Sequence, residues 1–165
     1  MAQAVGQLIQ IPLPGMPFHI LVTGWRDWPR EAAYVVHAHL ERVIKDLAPN
    51  ATQVVVTEGQ SPYGGVDDYA HEWAVAHQPW SVPDRRPADF KGLGRAAGPK
   101  RNGEMVALGP DVCLAFPGPS SRGTVNCIKQ AKAAQILVRT VEWDPAFLLL
   151  EVPLDDTRTS PYPGK

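Results

Sequence analysis

Residues 117–124, Pro-Gly-Pro-Ser-Ser-Arg-Gly-Thr, place two glycines, three hydroxyl side chains and a cation within eight positions. They follow the apolar run 112–116 and precede a stretch with helical patterning. Small residues leave the backbone open to a ligand. The free amides of a first helical turn, with the positive end of the helix dipole, then favour a phosphate or a similar anion. Pro117, Gly118, Ser121, Arg122, Gly123 and Thr124 are the residues such a site would use.

Two further groups could carry chemistry. Asp67, Asp68, His71 and Glu72 recur at the i, i+3 and i+4 spacing that shares a helix face. Carboxylates beside a histidine could hold a divalent ion or do acid–base work. The same spacing reads first as a solvated polar face, and no metal site is expected. Between positions 84 and 102 lie six basic and two acidic residues, a local charge of +4 in a chain of net charge −1. Arg95 and Arg101 supply cations there, and the Asn102 amide could read a base edge or a ribose; on composition alone a basic loop is usually only a solvated surface.

Several familiar motifs are absent. There is no GxxxxGK[ST], and the turn after the first apolar run lacks G-x-G-x-x-G. Gly92-x-Gly94-x-x-Ala97 imitates that fingerprint but follows no evident strand. HExxH fails because Val75 follows His71-Glu72 at the fifth position, and no GxSxG supports a hydrolase triad. Cys113 and Cys127 form no CxxC or Cys/His cluster, which reads as reduced, partly buried thiols rather than zinc ligands.

The elements that must position these residues alternate. Apolar strands are expected at 18–24, 54–57, 112–116 and 136–141, with a short one at 80–82. Helices are expected at 30–47, 66–77, 100–108 and from about 124 to 134. Residues 83–100 read as a long Pro/Gly/Arg loop, of a length that usually serves function. Residues 147–152 read as an added edge strand, and 147–150 as an apolar dimer contact. Strand and helix in this order give an α/β, three-layer, mainly parallel open sheet of Rossmann-like form. Its ligand crevice lies at the carboxyl ends of the strands, which places Gly24, Trp25, Arg26, Glu58, Gly59, Gly65 and Asp67 beside the 117–124 loop. Trp25 and Trp28 lie near the first turn and could stack a base, whereas Trp73 and Trp143 read as core or interface.

Composition frames this reading. Gly 14 and Pro 17 make up about one residue in five, against a usual share of roughly one in eight, so short elements joined by shaped loops are expected. One domain is expected over 18–152, between a Pro-rich lead at 1–17 and a loose tail at 153–165. The lead lacks the basic and apolar regions of a signal peptide, and no run approaches the roughly 20 apolar residues of a membrane span. A cytoplasmic protein with no membrane partner is therefore expected. A pI near 6.5 argues against a nucleic-acid partner.

Four segments carry a family resemblance. Leu21-Val22-Thr23-Gly24-Trp25-Arg26-Asp27-Trp28 resembles the opening G-S-R-D/E-W stretch of YspA-like proteins in the SLOG superfamily. Gly65-Val66-Asp67 with Ala70 and Trp73-Ala74 resembles their G-A-D-x-x-A-x-x-W-A. Gly94-Arg95-Ala96-Ala97-Gly98-Pro99-x-Arg101-Asn102-x-x-Met105 is the most specific segment. Cys113-Leu114-Ala115-Phe116-Pro117-Gly118, then Arg122-Gly123-Thr124, resembles the D-x-x-x-A-F-x-G-x-x-G-T ending. The likeness runs in order over residues 18–143.

The resemblance implies a Rossmann-like fold whose loops bind a nucleotide or nucleotide-derived ligand, such as an adenine nucleotide, ADP-ribose or an NAD-derived molecule. No other cofactor is required. It also places Arg101 where LOG phosphoribohydrolases carry a catalytic arginine. Two departures weaken a LOG-type reaction: the LOG glutamate position falls on Cys127, and Glu58 replaces a glycine in a longer second loop. Three functions follow as expectations. The first is a sensor or sequestering protein for that ligand. The second is hydrolysis of a nucleoside monophosphate, with Arg101 stabilising charge and Glu58, Asp67 or Glu104 replacing the missing acid. The third, DNA handling as in DprA, is the one that the charge argues against. A homodimer is expected.

Overall fold

The structure, a computed structural model, describes residues 15–149. Five parallel strands form one sheet: β1 (Phe18–Gly24), β2 (Val54–Glu58), β3 (Ser81–Arg85), β4 (Val112–Phe116) and β5 (Leu137–Thr140), in the order β3-β2-β1-β4-β5. The helices are α1 (Ala33–Leu47), α2 (Val66–Ala76), α3 (Phe90–Leu93), α4 (Ala97–Ala107) and α5 (Arg122–Ala133). This is the α/β Rossmann-like architecture, with the order reversing between β1 and β4.

Alternation along β1 builds the two outer layers. Phe18, Ile20 and Val22 point into a core with Val36, Leu40 and Ile44 of α1 and Ala70 and Trp73 of α2. Leu21 points the other way, onto Met105 and Val106 of α4 and Cys127 and Ala131 of α5. The two free thiols meet in this second core: Cys113 and Cys127 are both buried, and a hydrogen bond between them and burial push the Cys113 thiol up. α1 ends at Leu47, and Ala48, before Pro49, leaves the helical conformation as the steric restriction on a residue preceding proline requires.

Three expectations about elements need correction. β3 runs from Ser81 to Arg85 through Pro83; it pairs only with β2, and an edge strand tolerates a residue without an N–H. Residues 83–100 are therefore not one loop. Asp89 caps α3 by accepting the Gly92 amide at 2.8 Å, a 3-10 turn spans Gly94–Ala96, and α4 starts at Ala97. Gly98 and Pro99 fall in the first turn of α4, where the amide missing from proline has no helical partner to lose. No edge strand forms at 147–149. A 3-10 turn covers Pro145–Leu148, with Asp144 accepting the Ala146 amide at 2.9 Å, and Phe147 packs on Trp28 and Trp143. Residues 150–152 of that expected strand, 150 of the expected dimer contact, the tail at 153–165 and positions 1–14 of the lead lie outside the described residues. Among the described residues, no helix is long and apolar enough to cross a membrane.

Candidate functional site

Parallel pairing brings the turns after β1, β2, β3 and β4 to one edge of the sheet, and the reversal between β1 and β4 opens a crevice there. The glycines expected to admit a ligand do something else. A Cβ on Gly118 would overlap the indole of Trp25, so the turn after β4 lies flat on the turn after β1. Gly65 has φ +78, and a Cβ there would overlap the backbone carbonyl of Arg26. Gly24 is closed by Val66, and Gly59 by the guanidinium of Arg101. These four positions join the crevice loops to one another. Gly123 is the exception, with nothing within 4 Å of the position a Cβ would take.

The first turn of α5 is the open part of the site. No side chain caps it. Ser121 accepts the Gly118 amide through Oγ at 2.8 Å, which leaves its hydroxyl hydrogen to donate outward. Arg122 and Gly123 are exposed, Thr124 is buried, and Pro117 accepts the Trp143 amide at 3.0 Å. Arg95 is exposed on the Gly94–Ala96 turn, and among the described residues neither Arg95 nor Arg122 forms an ion pair.

Arg101 and Asn102 stitch this edge together. Arg101 Nη1 donates to the carbonyls of Gly59 and Arg86, and its Nε donates to Asn102 Oδ1 at 3.1 Å. Asn102, 2% exposed, donates through Nδ2 to Gly123 O at 3.2 Å and Asn126 Oδ1 at 3.1 Å. Its amide is thus occupied within the protein. The expected reading of a base or ribose by Asn102 gives way to a role in holding α4 against the start of α5.

The polar face expected on α2 is not simply solvated. Asp67 is buried, and its Oδ2 accepts the Ser61 amide at 3.0 Å. Burial pushes its carboxyl up to about 6, against the nearby charge of Arg101. Glu58, fully buried at the end of β2, is pushed up to about 7 by burial and then by Asp67. The Gln60 amide donates to its Oε2 at 2.6 Å, and Arg85 Nε to its Oε1 at 2.6 Å. Arg85 also donates to Asp68. The registry Glu58↔Arg85 between β2 and β3 sets these charges side by side. His71 Nδ1 lies 3.6 Å from Glu58 Oε1, too far for a hydrogen bond, and burial pushes the imidazole below its usual range. Glu72 faces outward and pairs with Arg30 at 2.7 Å.

Arg85 escaped the sequence reading because its partner lies 27 positions away, and only the strand registry joins them. Tyr63 escaped it as well, as one residue of an irregular turn. Arg26, exposed and 3.9 Å from Asp27, lies over the Tyr63 ring at 4.5 Å from its centroid. Trp28 is 2% exposed in the core, contrary to a stacking role. Trp25 is taken up by Gly118 and by Trp143, at 5.8 Å between ring centroids.

No family model matches the chain, and no solved structure does. The Gene 61 protein of Mycobacterium phage D29 is 35% identical to it over 122 residues, which cover 72% of this chain and 92% of that protein.

Proposed function

The chain belongs to the family of the Gene 61 protein of Mycobacterium phage D29, a name that states no activity, and from the crevice itself we propose that it binds a nucleotide-derived small molecule. The observation that carries this is the open first turn of α5, uncapped, with Gly123 bare and Arg122 without an ion pair among the described residues, at the reversal point of the sheet. Such a turn offers amides and a positive dipole end to a phosphate. Arg122 and the Ser121 hydroxyl add donors, and the cations Arg26 and Arg95 stand at the same edge. The resemblance of these loops to SLOG proteins supports the same ligand class, an adenine nucleotide or ADP-ribose, and a role in sensing or holding it.

The test is thermal melting of the intact chain with AMP, ADP-ribose and NAD. A ligand at a hundred times its Kd adds about 2.7 kcal/mol. For a domain of this size that raises Tm by about 5–10 °C. An unchanged Tm across the three compounds contradicts the reading.

The Asp67 carboxyl favours a second reading, cleavage of the N-glycosidic bond of a nucleoside monophosphate. A buried acid pushed up to about 6 keeps a protonated fraction at mildly acidic to neutral pH, and that form can give its proton to a departing base while water adds to the ribose carbon. The products would be free base and ribose 5-phosphate. Incubation of AMP with the protein should then release adenine at a rate that Asp67→Asn abolishes; intact AMP after prolonged incubation excludes it.

A further inference from the structure

A nucleotide has a base to place as well as a phosphate. Of the two tryptophans nearest the crevice, Trp28 is core, and Trp25, half-buried, packs on Gly118 and Trp143. Tyr63 offers a free face. It stands at the tip of the turn between β2 and α2 and is 69% exposed, although an aromatic ring on a loop tip gains by burial. It is also held in place. Its amide donates to Ser61 Oγ and the Gly64 amide to Ser61 O, each at 3.3 Å, and the Arg26 guanidinium covers one face of the ring. The close approach of Gly65 holds the Arg26 backbone, from which the guanidinium reaches the ring.

The geometry points to Tyr63 as the stacking platform for the base of the ligand, with Arg26 as the cation behind it; this rests on the nucleotide reading above and specifies what the ligand must contain. The crevice turns are contiguous: Gly118 lies on the Trp25 indole and Gly65 on the Arg26 backbone, and the ends of β2 and β4, each paired with β1, are two strand spacings apart, about 10 Å. A nucleoside 5′-monophosphate laid along these turns would have its phosphate at the start of α5, its ribose over the Gly24–Trp25 turn and its base on Tyr63. Every base has a π face, so the platform selects a planar heterocycle without choosing one base. Arg26 beneath the ring adds a cation–π contact that holds the phenol flat.

The experiment is calorimetric titration of the wild-type protein, Y63A and Y63F with AMP and, separately, with ribose 5-phosphate, which has the same phosphate and sugar but no base. The wild type and Y63F should bind AMP about tenfold or more tightly than ribose 5-phosphate. Y63A should bind the two compounds alike, with its affinity for ribose 5-phosphate equal to that of the wild type. The exposure of Tyr63 means that the variants should fold, and a thermal melt of each checks this. A Y63A protein that keeps the wild-type preference for AMP overturns the inference. So does a wild type that binds both compounds equally, which would leave the phosphate site standing without a base site. A wild type that binds neither compound removes the nucleotide reading and the platform together.

Discussion

Replacing Gly65 with alanine should destabilise the protein by about 3 kcal/mol or more, whereas the same change at Gly64 should cost about 1–2 kcal/mol. Both glycines have positive φ, +78 and +85, so both substitutions carry backbone strain. They differ in what a methyl group meets. At Gly64 the nearest atom is Asp68 Oδ2 at 3.4 Å, an ordinary contact with the end of a side chain. At Gly65 it is the Arg26 backbone, which cannot swing aside, and φ +78 with ψ −145 lies close to the region only glycine occupies. Urea denaturation of the two variants isolates the difference. Equal losses would mean that the turns after β1 and β2 do not touch as described. Because that contact sets the Arg26 backbone in place, the Gly65 variant that remains folded should also bind AMP more weakly.

Asp67→Asn should change how stability depends on pH. Burial raises the Glu58 carboxyl to about 7 from 4.5 and the Asp67 carboxyl to about 6 from 3.8. A carboxyl raised on folding holds its proton more tightly in the folded state. Its contribution is fully present below the unfolded value and is lost as pH rises through the folded one. For Asp67 the window runs from about pH 4 to about pH 6, and the rise of about two pH units at about 1.4 kcal/mol each is worth roughly 3 kcal/mol. Asparagine keeps an oxygen for the Ser61 amide and removes the charge. The stability of D67N relative to wild type should therefore climb by about 3 kcal/mol from pH 4 to pH 7, in urea titrations at each pH. Taking the difference matters, because burial lowers His19, His37, His39 and His71, and their protonation in the unfolded chain works in the opposite direction. Those contributions largely cancel between the two proteins. A difference that stays flat over this range would mean that Asp67 is ionised and well compensated in the folded state.

Much of the fold can be read directly from the sequence. β1, β2 and β4 are short apolar or β-branched runs ending at Gly24, Glu58 and Phe116, and the alternation of strand and helix leaves few topologies other than the one observed. The errors cluster where proline and glycine have more than one use. Pro83 reads as a loop residue until β3 is known to be an edge strand, and Gly98-Pro99 reads as a break until it falls in a first helical turn.

The site was legible by position and less so by role. The crevice loops contain the expected residues, yet a missing Cβ does not say whether ligand or protein fills the space. At Gly118 the occupant is Trp25, and at Gly59 it is Arg101. Asn102, a plausible base reader by type, is occupied by Gly123 and Asn126. The charge pattern of Asp67 and Asp68 suggested a wet surface, but one carboxylate turns inward and the other meets Arg85, a partner that only strand registry could supply.

The central claim is that one nucleotide lies across the crevice from the start of α5 to the turn after β2. The most direct measurement is the shift of backbone amide resonances in labelled protein as AMP is added. The largest changes should fall on Gly24 to Arg26, on 61–65, and on Ser121 to Thr124, with a common dissociation constant. Shifts confined to other surfaces, or none at AMP concentrations in the millimolar range, would contradict it.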